Sequence, residues 1–380
     1  MKKTLVVLAG VALVATGFSY PSTPRFEFDT LAPLGGRTAI GSSIDSRGVV
    51  AGTSTTTGTA KHATVWRNGK ARSLGTLGGP GSSSAVLWPS SGRVIAGITQ
   101  TDKPDPNNES WSCGAFLPAR PGYACVGFAY VDGKMRALPT LGGPHGFAAG
   151  ANSRGLVAGW AEENIRDSSC VGTQVLRFRA TVWDVRTMRA RELRPLRGDS
   201  VSAATGVNDR GRVIGISGAC DQAVGRGSAR EPVVWDHGKP RALTDLGGIA
   251  WDTPMDLNER GDIAGFVNRS AADGASLKPL PVWWSASGRL HRLTLPSGYT
   301  FGQALGINER RHVVGVALSE DFSQCAAVLW RSDSKPIVLE DKSGRLQPCD
   351  ANAINDRGQI TGDATHVKSG ATVGFLATPR

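Results

Sequence analysis

The sequence predicts an all-β protein, a seven-bladed β-propeller with four strands in each blade. Three features repeat seven times in the 380 residues: a Leu-x-x-Leu-Gly-Gly-like phrase, an Asn-x-x-Gly-like turn, and a Val-Val-x-Gly-like apolar run. A period of about fifty residues marks a unit that buries its apolar faces only against neighbouring copies. Four short apolar runs per unit, separated by turn residues, are typical of a propeller blade.

The segment before the first complete repeat supplies one more strand. Residues 25–31 alternate polar and apolar side chains, as a half-buried strand does. No partner strands precede this segment, while the last repeat stops after its third strand, near Phe375. We therefore expect the N-terminal strand to complete the C-terminal blade. Such closure removes the sheet edges that promote aggregation.

Within a repeat, the first two strands meet at a tight turn. In the fourth copy this turn is Asn208-Asp209-Arg210-Gly211, and Asn and Gly both tolerate its unusual backbone angles. The turn glycines are Gly48, Gly92, Gly155, Gly211, Gly261 and Gly358, with Arg311 in that place in the sixth copy.

Side-chain size predicts the strand order. The residue four positions before the turn Asn is small, so we place the first strand innermost, where seven strands crowd one axis. These residues are Gly41, Ala85, Ala148, Ala204, Pro254, Ala304 and Ala351. The third strand carries an aromatic residue, which we expect to fill the space between blades rather than to stack a ligand. These residues are Trp66, Tyr130, Trp183, Trp235, Trp284 and Trp330, with Phe375 close to the equivalent place.

The N-terminus has the pattern of an export signal. Lys2 and Lys3 precede an apolar run to about residue 17, and small residues follow. We expect residues 1–19 to be a signal peptide, cleaved near residues 17–19, and residues 20–380 to form one domain. About thirteen apolar residues are too few to span a bilayer, so we expect no stable membrane anchor after cleavage. The predicted location is the periplasm or exterior of a bacterium.

The net charge of +11 would fall to +9 on loss of Lys2 and Lys3. A surface of this sign attracts acidic polysaccharide, lipopolysaccharide or anionic lipid. The alternative is that the arginines only keep an exported protein soluble. Export argues against nucleic acid as the natural partner, and we expect a monomer.

Six cysteines behind an export signal favour disulfides over a zinc site, and none has Cys-x-x-Cys spacing. Fifteen pairings are possible in principle. The repeat register favours three pairs. The first lies within one insertion, the second joins corresponding insertions of neighbouring repeats, and the third joins neighbouring strand ends. These pairs are Cys113–Cys125, Cys170–Cys220 and Cys325–Cys349.

Several repeat phrases together resemble the HAF-repeat family of bacterial extracellular proteins. These phrases are LGTLGG at 74–79, LPTLGG at 138–143, KHATVW at 61–66 and INDRGQI at 354–360. The resemblance covers nearly the whole chain after the signal and implies an exported, propeller-like repeat protein. It brings no catalytic residues. Pro89 departs from the pattern, because it replaces the turn Asn of the second repeat.

Long insertions at 99–124, 161–176, 217–231, 268–279 and 318–324 would share one face of the ring. Long loops on a rigid scaffold are frequent binding sites, so we expect ligand contacts there. The candidate residues are Trp111, His145, Trp160, Glu162, Asp167 and Trp251. Solvated loop charges and packed tryptophans are the structural alternative.

The opposite face would carry the turns between first and second strands. Six of these turns hold an arginine at the same place, suited to binding a carboxylate or sulfate, unless the arginine is only repeated turn chemistry. These residues are Arg47, Arg154, Arg210, Arg260, Arg310 and Arg357.

Known enzyme signatures for hydrolases, zinc peptidases and phosphate-binding loops do not occur in the sequence. We therefore predict a non-enzymatic binding or interaction module for a glycan or protein ligand, with no cofactor and no metal. The alternative is a carbohydrate-active hydrolase or lyase that uses insertion carboxylates, with His145 as a further candidate. A structural surface protein without a small ligand is a third possibility.

Overall fold

A computed structural model of the chain describes residues 24–90, 93–109, 111–221, 227–248, 250–331 and 335–380. These residues form seven four-stranded antiparallel sheets, which confirms the predicted seven-bladed β-propeller. The predicted signal peptide at 1–19 lies outside the described residues. Within them, no helix combines the length and apolar character needed to cross a membrane.

Each of the first four blades is formed by four consecutive strands. Blade 1 has β2 Ala39–Ile44, β3 Val50–Thr55, β4 Lys61–Arg67 and β5 Lys70–Ser73. Blade 2 has β6 Ser84–Ala85, β7 Ile95–Pro104, β8 Tyr123–Val131 and β9 Lys134–Ala137. Blade 3 has β10 Gly142–Ala151, β11 Leu156–Arg166, β12 Leu176–Asp184 and β13 Arg189–Leu193. Blade 4 has β14 Val201–Val207, β15 Val213–Gly218, β16 Glu231–Asp236 and β17 Lys239–Ala242.

The remaining blades follow the same plan, and two short helices lie in insertions. Blade 5 has β18 Thr253–Leu257, β19 Ile263–Val267, β20 Leu280–Trp284 and β21 Leu290–Arg292. Blade 6 has β22 Phe301–Ile307, β23 Val313–Leu318, β24 Cys325–Trp330 and β25 Pro336–Val338. Blade 7 has β26 Leu346–Ile354, β27 Ile360–His366, β28 Thr372–Pro379 and, outermost, β1 Phe26–Leu31. The helices are α1 Trp111–Phe116 in blade 2 and α2 Ala271–Ala275 in blade 5.

The N-terminal strand closes the ring as predicted. Strand β1 pairs antiparallel with β28, from Phe26 opposite Pro379 to Leu31 opposite Gly374. Phe28 is buried and its ring lies 5.4 Å from that of Phe375. The last blade therefore has its fourth strand and part of its core from the other end of the chain.

From blade 3 through blade 7 to blade 1, first strands of successive blades contact one another around the axis, so the first strand is innermost. The glycine that faces it from the second strand is needed for close approach. In blade 6, Ala304 faces Gly315, where an added Cβ would lie 1.9 Å from the Gln303 carbonyl oxygen. Equivalent glycines in the second strands of the other six blades have the same backbone contact. The glycine of the Val-Val-x-Gly run is therefore a packing requirement.

The turn asparagines join blades as well as forming turns. Asn258 Oδ1 accepts from the backbone N–H of Asp262 within its own turn, and its Nδ2 donates to the Asn308 carbonyl of the next blade at 3.1 Å. Asn152, Asn208, Asn308 and Asn355 make the same kind of bond to the following blade. This set of bonds runs from blade 3 to blade 7 and on to blade 1.

The recurring aromatic residues fill the core between blades, as predicted. Trp183, Trp235, Trp284 and Trp330 are at most 1% exposed. The indole N–H of Trp235 donates to the Arg194 carbonyl of the preceding blade at 2.7 Å, and four other tryptophans of this set make the corresponding bond. Each ring thus packs its apolar surface and satisfies its polar atom across a blade boundary.

The connections divide the ring into two faces. The insertion face has the connections between second and third strands and those between blades, and the turn face has the other two sets of turns. In blades 2 and 3 the insertions begin as extensions of the blade strands, because β7 reaches Pro104 and β11 reaches Arg166. All three predicted disulfides are present: Cys113–Cys125, Cys170–Cys220 and Cys325–Cys349.

Candidate functional site

Three of the predicted ligand-binding residues lie inside the insertion face. His145, Trp160 and Glu162 are 0%, 3% and 1% exposed. The His145 backbone N–H donates to Glu162 Oε2 at 2.9 Å, and His145 Nε2 lies 3.2 Å from Asp105 Oδ2. A ligand on the surface would not touch these groups unless the insertions opened.

The buried polar residues join insertions that are distant in sequence. Glu109 Oε1 accepts from the backbone N–H groups of Val175 and Leu176, at 2.7 and 2.6 Å. The Cys125 N–H donates to His145 Nδ1 at 3.2 Å, which leaves Nε2 as the protonated nitrogen of a neutral ring. Burial raises the pKa of Glu162 to about 7. The arrangement fixes the insertions of blades 2 and 3 against each other.

Trp160 belongs to an aromatic cluster near the axis. Its ring stacks on Phe147 with centroids 6.4 Å apart, and Phe178 lies 5.5 Å away. Phe116 of α1 and Trp88 extend the cluster. This packing accounts for the large aromatic side chains of blades 2 and 3 without a bound ligand.

The other three predicted contacts lie in other parts of the chain, and Trp251 packs against the hydrophobic core that includes Trp160. Trp111 is the first residue of α1, and its side chain is not among the described parts of the structure. Asp167 lies beside Cys170 and Cys220, but sulfur atoms joined in a disulfide are not thiolates and offer no metal site. Trp251 is half-buried against Phe266, with ring centroids 4.9 Å apart. Binding of one ligand by the six residues together stays a prediction.

The turn face presents carboxylates at the axis. A cavity of about 320 Å³ at the channel mouth is lined by Asp209, Glu259, Glu309 and Asp356, and none of the six predicted arginines lines it. These carboxylates accept backbone N–H groups of the preceding blade, as Asp356 does from Glu309 at 2.8 Å. An anion on the axis would face this negative charge. Binding of one anion by the six arginines together stays a prediction.

Two of these arginines have acidic partners. Arg47 forms an ion pair with Asp45 at 2.8 Å, and Arg260 lies 3.8 Å from Asp262. Arg311, which replaces the turn glycine, has a φ of 59° and forms an ion pair with Asp262 at 3.0 Å. Asp262 thus serves two neighbouring turns.

A cavity of about 790 Å³ lies on the turn face between blades 1 and 2. We call it the blade 1–2 cleft. Its rim residues are Asp45, Arg47, Arg67, Asn68, Lys70, Arg72, Arg93 and Asp132. Its floor residues are Val49, Ala51, Val65, Ala71, Leu74, Val94, Ile95 and Tyr130.

The cleft exists because blade 2 departs from the repeat. Strand β6 has only two residues, Ser84–Ala85, and Pro89 stands where other blades have the turn Asn. Because Pro has no backbone N–H and no side-chain amide, it makes neither the ladder bond nor the bond between blades. Ser43 and Ser90 join the two blades instead, through hydrogen bonds of 3.0 and 2.9 Å.

A second substitution opens the same boundary. Tyr130 replaces the tryptophan of the other blades, so the indole bond to a preceding carbonyl is absent here. Its hydroxyl instead accepts from Arg72 Nη2 at 3.0 Å, and the Arg72 guanidinium lies 5.8 Å from the ring centroid. The hydrogen bond from Arg72 of the cleft rim therefore replaces the buried indole-to-carbonyl bond of the other blades.

Sequence reasoning did not find Arg67, Lys70, Arg72 and Arg93. Two signals were available: the run Arg67-Asn68-Gly69-Lys70-Ala71-Arg72 in one hairpin, and the loss of the turn Asn at Pro89. Their combination across a blade boundary becomes visible only in the folded ring.

No protein-family model and no curated protein matches the chain. Among solved structures, the oligogalacturonate lyase of Vibrio parahaemolyticus is 9% identical, with a TM-score of 0.47 over 93% of this chain and 97% of that one. A puromycin hydrolase is 14% identical, with a TM-score of 0.46 over 91% and 55% of the two chains. A gluconolactonase of Xanthomonas campestris is 11% identical, with a TM-score of 0.37 over 67% and 79%. Likeness at this level transfers no activity to this chain.

Proposed function

We propose that this chain is an exported, non-enzymatic β-propeller of the HAF-repeat type that binds a saccharide in the blade 1–2 cleft. The observation that supports this is the cleft itself, whose volume of about 790 Å³ lies within the usual range of ligand pockets. A floor of apolar side chains suits the apolar face of a sugar ring, and the polar rim suits its hydroxyl groups. Three disulfides are consistent with an oxidising compartment.

The hydrolase or lyase alternative needs carboxylates that reach a substrate. Glu162 has the raised pKa of a possible general acid, but its side chain is buried beneath the insertions. Asp105 and Glu109 are buried in the same place. Binding without turnover is therefore the function that we favour.

The test is a binding screen of the oxidised protein on neutral and acidic glycans, with analysis of each ligand for cleavage. A matched pair of variants locates the site. Val65 lines the cleft and packs with Leu74 and Tyr130 at the boundary with blade 2, while Ala190 faces Trp183 in blade 3, away from the cleft. We expect Val65→Trp to weaken binding at least about tenfold, because it fills the cleft, and Ala190→Trp to leave affinity within about twofold.

Three results would contradict the proposal. Equal losses from Val65→Trp and Ala190→Trp would mean that the site lies elsewhere. Binding of no saccharide would favour a protein partner or a structural role. Release of product would place the protein among the enzymes.

A further inference from the structure

We infer that the ligand of the blade 1–2 cleft carries negative charge: it is a saccharide with carboxylate or sulfate groups. This inference rests on the proposed function and adds the chemical class of the ligand. Five basic side chains line the cleft against two acidic ones. The cleft therefore combines a concave surface with an excess of positive charge.

The five basic side chains differ in whether they already have an ion-pair or hydrogen-bond partner in the protein. Arg47 is neutralised by Asp45 at 2.8 Å, and Arg72 is occupied by the Tyr130 hydroxyl at 3.0 Å. Among the described residues, no carboxylate oxygen lies within 4 Å of the side-chain nitrogens of Arg67, Lys70 or Arg93. Three cations thus face the cleft with their hydrogen-bond donors available.

The two sides of the cleft supply these cations independently. Arg67 and Lys70 flank the hairpin turn between β4 and β5 of blade 1, while Arg93 follows the first turn of blade 2. A ligand between them would receive donors from both blades. Guanidinium groups bind carboxylate and sulfate through two parallel N–H donors, which gives orientation as well as charge.

The apolar floor strengthens this preference. Tyr130 and Leu74 are 8% and 6% exposed, so they exclude water beneath the rim. Charges beside a surface of low polarity are screened less than charges in open solvent. A shaped anionic ligand would therefore keep part of its affinity in salt, whereas attraction to scattered surface arginines would not.

The experiment compares three probes by calorimetry at low and physiological salt: a β-1,4-linked glucuronic acid hexasaccharide, the neutral glucose hexasaccharide of the same linkage, and inorganic sulfate. The test variant is Arg67→Gln/Arg93→Gln. The control, Arg189→Gln/Arg289→Gln, removes the same charge from exposed positions on the same face outside the cleft. Thermal unfolding checks that both double variants fold.

We expect the acidic hexasaccharide to bind at least about tenfold more tightly than the neutral one. The test variant should lose most of this difference, while the control variant should keep it to within about twofold. Equal affinity for the acidic and neutral hexasaccharides would overturn the inference and leave the proposed function intact. Equal losses in the two double variants would reduce the effect to net charge and also overturn it.

Failure of the proposed function gives different results. If sulfate binds and the test variant abolishes its binding while neither saccharide binds, the anion preference holds and the saccharide assignment is wrong. If no probe binds, both proposals are wrong.

Discussion

Buried carboxyl groups determine how individual residues respond to pH. Asp252 is fully buried at the start of blade 5, where its Oδ1 accepts from the Asn268 backbone N–H at 2.7 Å while its Oδ2 has no partner among the described residues. Burial raises the pKa of Asp252 to about 7. Burial likewise raises the pKa of Glu162 and Asp256 to about 7.

The sign of the effect follows from proton binding. An unfolded aspartate has a pKa of about 3.9, so between about pH 4 and 7 the folded chain holds a proton at Asp252 that the unfolded chain has lost. The stabilising contribution of the protonated group is therefore complete below about pH 4 and is lost as the pH rises through 7.

Asp252→Asn should remove this loss of folding stability at high pH. The amide keeps the oxygen that accepts from Asn268 and cannot ionise, so we expect the variant to be more stable than the parent at pH 8 by about 4 kcal/mol and close to it at pH 4. Chemical denaturation at the two pH values measures the difference. Asp102→Asn, at an exposed position, is the control and should show no such dependence. A parent and variant that differ equally at both pH values would contradict the assignment.

At the residue scale, repeated positions were predictable from the sequence and unique ones were not. The small residue at the position of Ala304 and the aromatic residue at the position of Trp330 recur in nearly every copy, so the environment of both could be predicted from the ring. His145 occurs once, after a Gly-Gly-Pro segment, and its burial depends on two insertions that cover it from elsewhere in the chain. The second role of the turn Asn, between blades, has no local sequence signal either.

At the scale of elements, the disulfides differ in what they constrain. Cys170 and Cys220 are separated by 50 residues and join the insertions of blades 3 and 4. Cys113 and Cys125 are separated by 12 residues and close one insertion of blade 2. In the chain-entropy account, the longer closed loop restricts the unfolded chain more.

Replacing Cys170 and Cys220 together by Ser should therefore lower the free energy of unfolding by about 1 kcal/mol more than replacing Cys113 and Cys125 together. The total loss should be about 2 to 4 kcal/mol for each pair. Urea denaturation of the two double variants and the parent measures this. A larger loss for the short-loop pair would show that native contacts, rather than chain entropy, dominate. Reduced parent protein should lose at least as much as either variant.

Element order was predictable because each repeat contains its own turn residues. Element length was less so. Strands β7 and β11 extend into their insertions, while β6 is cut to two residues by the sequence around Pro89. The blade 1–2 cleft arises from this shortening together with Tyr130 in β8 of the same blade. Such a feature depends on how two departures from the repeat meet in space.

At the scale of the whole molecule, the ring is a series of similar boundaries with two exceptions. Most boundaries have a buried tryptophan bonded to the preceding blade, and those from blade 3 onward to blade 1 also have an asparagine bond. The boundary at the cleft has Ser43 and Ser90 instead. Blade 7 depends on β1, so the ring is complete only when both ends of the chain meet.

Removal of β1 tests this dependence. A chain that begins at residue 34 lacks Phe28, which packs on Phe375, and exposes the whole edge of β28. Loss of one buried Phe alone costs about 3 to 5 kcal/mol, and the exposed edge favours association. We expect this chain to unfold at a clearly lower temperature and to form oligomers in size-exclusion chromatography. The control begins at Pro24, keeps β1 and should match the chain of residues 20–380 in both measurements.

A synthetic peptide of residues 24–33 separates loss of the strand from general damage. Added to the shortened chain, it should pair with β28, raise the unfolding temperature further at each higher peptide concentration and reduce oligomer formation. The same peptide with Phe28→Ala should act more weakly, because the ring supplies much of the buried apolar surface. If the shortened chain instead unfolds with the control and stays monomeric, three strands suffice for blade 7, and closure by the N-terminus is not what stabilises the ring.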